Sequence, residues 1–266
     1  MTSRRRGRGR LCGKIVDMRE IGSHEQLLAD CRGDRLCIWA AQGLDGRSRA
    51  WASADGKAVA VAGPELSTRD RIAVHGPAES VVPLVLAVLD EVGPTFRPLG
   101  EPGVIDAVAA ADPQLSVVGS FGWMDRTEQM TASGSAVVSW LDESELPEAA
   151  EVLAVAHPHS DARPGMPGVE GWAGARDRGG RLLAVAALAW SAPTLGFIAG
   201  VGVRPDARGQ GLGRDVCSFV VAAALGRHGA AGLMVDEENL SAQRLYRGLG
   251  LHYRPLRAAA VTRTGR

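Results

Sequence analysis

The residues best suited to chemistry lie in one run, IAGVGVRPDARGQGLGR, over 198–214. An apolar, β-rich stretch ends at Pro205, because proline cannot continue the interior of a strand. A glycine-rich turn follows and opens a helix predicted over 211–228. The first turn of a helix exposes unpaired N–H groups and a partial positive charge, so such a turn is a natural anion cradle. Gly209, Gly211 and Gly213, alternating with Gln210 and Leu212, let the backbone come close to phosphate oxygens. Arg208 and Arg214 flank them as charge-assisted donors. A pyrophosphate is the expected guest.

The spacing lacks the Gly-Lys-Ser/Thr of a nucleoside-triphosphate loop, and lacks the GxGxxG of a dinucleotide site with its acidic residue about 20 positions later. A different phosphate-bearing cofactor is needed. A second run, NLSAQRLYRGLGL, follows over 239–251. Arg208-x-x-Gly211-x-Gly213 after Val201-x-Val203-x-Pro205, and then Asn239-x-x-Ala242-x-x-Leu245-Tyr246-x-x-Leu249-Gly250, resemble the two linked signatures of the GNAT acetyltransferase superfamily. Leu251 stands where that family carries an aromatic residue. The resemblance covers roughly 136–261.

The resemblance implies acetyl-CoA as co-substrate and no metal. Its binding residues would be Val201, Gly202, Val203, Arg208, Gly209, Gln210, Gly211, Leu212, Gly213, Arg214 and Asn239. It implies amine acetylation: a neutral nitrogen attacks the thioester, a tetrahedral oxyanion forms and a thiolate leaves. The oxyanion needs a preorganised donor, which the resemblance places at a backbone N–H of Val201 to Val203, where the family's fourth strand splays from its fifth. Tyr246 is the implied general acid for the thiolate, although helical spacing with Ala242, Leu245 and Leu249 equally suits a core aromatic. Asn239 would cap that helix and reach the pantetheine arm. Cys217 falls inside the phosphate-side helix, so direct transfer without a covalent enzyme intermediate is expected.

A base must take the proton of the incoming ammonium. Many relatives carry a Glu on the fourth strand, but TLGFIAGVGV over 194–203 has no ionisable residue. The acceptor-side candidates are His157 and His159, in a His-Pro-His segment before a Pro/Gly-rich loop, together with Glu170 and Glu237. In the resembled fold such a loop lies over the acceptor site. His-x-His also suggests a metal, yet no third ligand has suitable spacing.

These residues need elements to hold them, and the pattern of elements occurs twice. A small, polar run over 131–136 reads as a linker between a domain over 13–130 and a catalytic domain over 137–266. A hairpin around Trp51 and the Asp55-Gly56 pair matches one around Trp172 and the Gly179-Gly180 pair. Strands at 71–75 and 197–203 are each followed by a long apolar helix, over 78–92 and 211–228. The expected architecture is α/β, two GNAT-like domains in tandem, each a twisted mixed sheet flanked by helices. The first copy is degenerate: at the phosphate turn it offers His75, Gly76, Pro77, Ala78, Glu79 and Ser80, with an acid where phosphates would sit. It is expected to bind no acetyl-CoA and to wall the acceptor cleft, with Trp39, Trp51 and Trp123 in its core.

Composition sets the remaining bounds. The 266 residues carry 30 basic and 30 acidic side chains, with 45% hydrophobic content, which excludes disordered and collagenous classes. Neutrality is composed of +5 over 1–10, −6 over 11–130 and +1 over 131–266. The Arg-rich start, 1–12, reads as a disordered arm; the rest is net acidic and implies no nucleic-acid partner. No run approaches the roughly 18 apolar residues of a membrane span, no secretory h-region follows the arm, and a cytoplasmic protein is expected. The four cysteines lack metal or redox spacing and read as buried small hydrophobes. A small-molecule amine is the expected acceptor, with a protein amine second; monomer and homodimer stay open. The missing strand carboxylate motivates an alternative, a non-catalytic acyl-CoA sensor or interaction module.

Overall fold

The second half of the chain runs strand, helix, hairpin, strand, long helix, strand, helix, strand, and the first half follows the same order with two strands and two helices at its start. The computed structural model describes residues 6–11, 14–44, 46–133 and 137–262, and for 6–11 and 14–16 the backbone only. The first half forms β1 (Arg6–Leu11), β2 (Lys14–Ile21), α1 (His24–Asp30), α2 (Arg35–Ala41), β3 (Arg49–Ser53), β4 (Val59–Leu66) and β5 (Arg69–His75). It continues through α3 (Ala78–Val92), β6 (Arg97–Gly100), α4 (Pro102–Ala111) and β7 (Leu115–Arg126). The second half forms β8 (Val138–Trp140), α5 (Leu146–Ala156), β9 (Val169–Arg176), β10 (Leu182–Ala189) and β11 (Gly196–Val203). It ends with α6 (Leu212–His228), β12 (Ala231–Asp236), α7 (Leu240–Gly248) and β13 (His252–Val261).

Local chemistry accounts for the boundaries. Asp34 caps α2 by accepting from the Cys37 N–H at 3.0 Å, and Ser23 caps α1 by accepting from Gln26 at 3.2 Å. The β3–β4 hairpin closes through Ser53 N–H to the Ala58 carbonyl at 2.9 Å, with Gly56 at φ 69°. In the β9–β10 turn the Asp177 carboxylate accepts from the Gly179 and Arg181 N–H groups, at 2.9 and 3.0 Å.

The chain divides into two units. Unit 1 takes it up to Gly122 and again from Arg254; unit 2 is Trp123–Tyr253. In unit 1, β1 to β5 are antiparallel neighbours in sequence order, β6 runs parallel to β5, and β13 pairs antiparallel with β6. Val81, Leu84, Val85 and Val88 of α3 pack on Ala60, Ala62, Ile72 and Val74 of β4 and β5. In unit 2 the order is β7-β12-β11-β10-β9-β8, with β11 and β12 parallel. All eight residues of β10 are buried, because α5 covers one face and α6 the other.

Three expectations differ from this arrangement. Arg6–Leu11, placed in a disordered arm, is a strand paired with β2, since an edge ladder needs only backbone groups; residues 1–5 and 12–13 lie outside the described residues. The boundaries at 130 and 137 do not coincide with the units. Met124 of β7 belongs to the core of unit 2 and Ala259 of β13 to that of unit 1, so burial assigns each strand end. The stretch 131–133 has no regular structure but is tied down, with Ser133 N–H donating to Ser218 Oγ at 2.8 Å; 134–136 are not among the described residues. Cys31, Cys37 and Cys217 are free and buried, as expected, and Trp39, Trp51 and Trp123 are core residues. Among the described residues, no helix is long and apolar enough to cross a membrane.

The returning strand β13 is anchored in unit 1 by a buried carboxylate. Asp34, with its side chain 5% exposed, accepts from Arg254 Nη1 at 2.6 Å and lies 3.5 Å from His75 Nδ1. Burial alone would raise its pKa, but His75, Arg254 and the Cys37 N–H outweigh that and hold the carboxyl well below the usual range. Arg254→Ala should therefore lower stability in denaturant unfolding by about 2 kcal/mol at neutral pH. A depressed folded pKa contributes stability above the unfolded value of about 3.9 and loses it as pH falls further. The difference between variant and parent should shrink in acid.

Candidate active site

One strand opens the sheet of unit 2. β11 pairs with β12 at Gly196↔Ala231 and Phe197↔Gly232, and no further ladder pair joins them among the described residues. On its other side, β11 pairs with β10 at Val185↔Gly202 and Ala187↔Ala199, so three steps on β11 match two on β10. The extra residue is a β-bulge, and Gly200 sits in it at φ 60°. A Cβ on Gly200 would strike the Trp172 ring and come within 3.3 Å of Ala162, so both the conformation and the space require glycine.

The bulge resets the alternation of side chains. Gly196 faces Ala224 and His228 of α6, and strict alternation would put Gly202 there too. Instead, a Cβ on Gly202 would meet Leu153 and Ala156 of α5, while Val201 and Val203 pack into the α6 core. The segment Val201 to Val203 therefore carries no bulk on the α5 face at Gly202 and borders the place where the β11–β12 ladder has ended.

The glycine-rich turn lies directly after this strand. Pro205–Ala207 forms a short 3-10 turn, Gly209 has φ 79°, and Gly211 at φ 84° caps α6 without any side-chain hydrogen bond. Arg208, Gly209, Gln210, Gly211 and Arg214 are exposed, while Leu212 is buried and anchors the helix. A Cβ on Gly213 would lie 3.2 Å from Val203 and 3.4 Å from Leu245, so glycine here lets α6 sit close to both β11 and α7. Arg204 is not part of the cradle, because its Nε donates to the Leu182 carbonyl at 2.9 Å.

Asn239 caps α7, its Oδ1 accepting from the Ala242 N–H at 3.1 Å. Tyr246 is 7% exposed, inside the core cluster that includes Cys217, Val216 and Leu249. Burial, and then the neighbouring Cys217, raise its phenol well above the ordinary range, so it keeps its proton. Burial likewise pushes the Cys217 thiol up to about 12, which leaves no thiolate for nucleophilic work. Gln243, passed over in the sequence reading, is buried and donates from Nε2 to the carbonyls of Asp236 and Glu237, at 3.3 and 2.8 Å. It fixes the β12–α7 turn that presents Asn239.

The four acceptor-side candidates separate. His157 and His159 are exposed at the start of the loop that brings Ala162 against the bulge glycine. That loop is held by Ser160 Oγ donating to the Ala162 carbonyl at 2.8 Å and by Arg163 donating to the Pro158 carbonyl at 3.1 Å. Glu237 is exposed on the β12–α7 turn. Glu170 goes elsewhere: it accepts from the Ser191 N–H at 3.0 Å and lies 3.7 Å from His228, the last residue of α6. The reason is a second bulge, between Leu188↔Gly171 and Ala189↔Val169, which takes Glu170 out of step with Trp172. Among the described residues no group of three or more His, Cys, Asp or Glu side chains could hold a metal.

In unit 1, β5 pairs in parallel with β6 over Arg71↔Arg97 to Ala73↔Leu99. β4 and β5 pair in register from Val59↔His75 to Gly63↔Arg71, and the register shifts before Leu66↔Arg69 at the hairpin end. At the start of α3, the Asp55 carboxylate accepts from Ser80 Oγ at 2.7 Å. Hydrogen bonds from Ser53, Lys57 and Ser80 hold that carboxyl down at about 2.

Unit 2 is thus a mixed sheet that parts beside a bulged strand, with a glycine turn free of side-chain caps at the start of the following helix. Residues 136–251 match the model of the acetyltransferase (GNAT) family, and this part of the chain is a GNAT acetyltransferase domain. The fold resembles that of a GCN5-related N-acetyltransferase from Kribbella flavida, at 17% identity and TM-score 0.55, over 79% of this chain and 88% of that one. It also resembles a GCN5-related N-acetyltransferase from Sphaerobacter thermophilus, at 16% identity and TM-score 0.54, over 88% of this chain and 89% of that one. Likeness at such identities is likeness of fold. No curated protein matches the chain.

The raised Tyr246 pKa has a measurable consequence. The folded chain holds this proton more tightly than the unfolded chain, so stability falls as pH rises past about 10. Tyr246→Phe should flatten that fall between about pH 9 and about pH 11 in denaturant unfolding; equal slopes for both proteins would remove Tyr246 as its source.

Proposed function

We propose that this chain is an acetyl-CoA-dependent N-acetyltransferase that passes the acetyl group directly to a primary amine, a small molecule in preference to a protein. The observation that carries the reading is the bulge at Gly200, with the β11–β12 ladder ending beside it and the uncapped start of α6 at its far end. The bound thioester would supply an activated acyl group and a thiolate leaving group.

The chain's own groups take the following parts. N–H groups at the start of α6, with Arg208 and Arg214, bind the pyrophosphate. A backbone N–H between Val201 and Val203 donates to the carbonyl oxygen as it gains charge, a role worth roughly 2.7 to 4 kcal/mol in comparable sites. Asn239 orients the pantetheine arm. Tyr246, kept protonated by burial, donates to the departing sulfur. His157, His159 or Glu237 takes the ammonium proton, directly or through water; Glu170, engaged with Ser191 and His228, does not. Unit 1 binds no acetyl-CoA, a reading that the Asp55 carboxylate at the start of α3 supports.

β11 carries no ionisable residue, and this favours a second reading, a non-catalytic acyl-CoA sensor. Two measurements decide. Acetyl-CoA at about 100 times its dissociation constant should stabilise the fold by roughly 2.7 kcal/mol, and an unmoved unfolding curve would reject both readings. With an amine panel, free thiol should appear, and Tyr246→Phe should lower kcat about 100-fold while acetyl-CoA affinity holds. Binding without thiol release for any amine would favour the sensor.

A further inference from the structure

The bulge glycine rests on a single large side chain. Trp172 of β9 is in register with Ala187 of β10, and Ala187 with Ala199 of β11. Paired residues in a sheet project to one face, so one indole lies across two alanines and ends on β11. Its Cη2 and Cζ3 atoms, the far edge of the ring, are those that a Cβ on Gly200 would strike. Trp172 is 2% exposed and Ala187 fully buried, whereas Ala199 is half-buried, so this row opens to solvent only at its β11 end.

The two faces of β11 differ at this point. Val201 and Val203 fill the α6 face. On the α5 face Ala199, Gly200 and Gly202 contribute almost no volume; the boundary at Gly200 is the Trp172 edge with Ala162 beside it, and at Gly202 it is Ala156 and Leu153 of α5. We propose that Trp172 is the specificity-determining residue for acyl length, its ring edge forming the end wall that admits acetyl and excludes longer acyl groups. The proposal rests on the reading that the thioester carbonyl accepts from the N–H groups of Val201 to Val203. The acyl tail then begins within a residue of Gly200. Close-packed interiors do not yield to an added methylene without strain, so each extra carbon meets the ring.

The test is isothermal titration of the full chain with CoA, acetyl-CoA and butyryl-CoA. The unsubstituted chain should bind butyryl-CoA at least about tenfold more weakly than acetyl-CoA, the scale of discrimination that methylenes produce at a closed wall. Trp172→Phe removes the two edge atoms that meet Gly200 while keeping an aromatic core residue. It should cut the difference to about threefold or less and leave CoA affinity unchanged. Trp172→Ala, if it folds, should abolish the difference; Trp172→Phe decides if it does not. Equal affinity for the two acyl-CoAs in the unsubstituted chain, or an undiminished difference in folded Trp172→Phe, overturns the wall while the cofactor reading stands. Failure to bind CoA at all overturns the cofactor reading and the wall with it.

Discussion

One extra residue in one strand governs the candidate site. Without the bulge, β11 would keep its alternation, Gly202 would face α6, and valines would crowd the α5 face. With it, the strand turns its small residues to one side and its branched residues to the other. The bulge depends in turn on Gly200, because φ 60° is strained for any residue with a Cβ and because Trp172 and Ala162 occupy that space. Backbone conformation, strand splay and packing are thus one constraint.

The starts of the two long helices show how similar elements serve different ends. A helix start needs partners for its N–H groups and favours negative charge. In unit 1 an internal carboxylate, Asp55, lies at the start of α3 through Ser80. No side chain caps either helix, and in unit 2 Gly209 and Gly211 hold the turn before α6 open. The carboxylate beside α3 disfavours a further anion there; the open glycine turn before α6 is suited to one. The same economy applies to buried titratable groups, where Tyr246 and Cys217 both stay protonated because burial disfavours their charged forms.

Much of this was legible in sequence. The β3–β4 and β9–β10 hairpins follow from Asp-Gly and Gly-Gly turns, α3 spans the predicted 78–92, and α6 starts after the predicted glycine. These features rest on local preferences, which neighbouring residues express wherever they are placed. The placing of Glu170 beside Ser191 and His228 could not be read from sequence, because a bulge is defined by the register of two strands. The roles of Gln243 and of the Trp172 ring edge are not legible in sequence for a related reason: an isolated amide or aromatic has no pattern until its partners are known. The edge strand β1 was missed because Arg-Gly repeats carry no core signal, although their backbones can still pair.

By itself, then, the sequence determined the repeated order of elements, the glycine turn, the caps and the family signatures, all of which lie within short spans of chain. Only the tertiary structure decided where the sheet of unit 2 parts, which face each residue of β11 presents, and which histidines stay exposed. It also decided that the ends of β7 and β13 belong to different units from the rest of their halves. Those outcomes depend on pairing and burial between residues far apart in sequence, and such energies exist only once the partners meet.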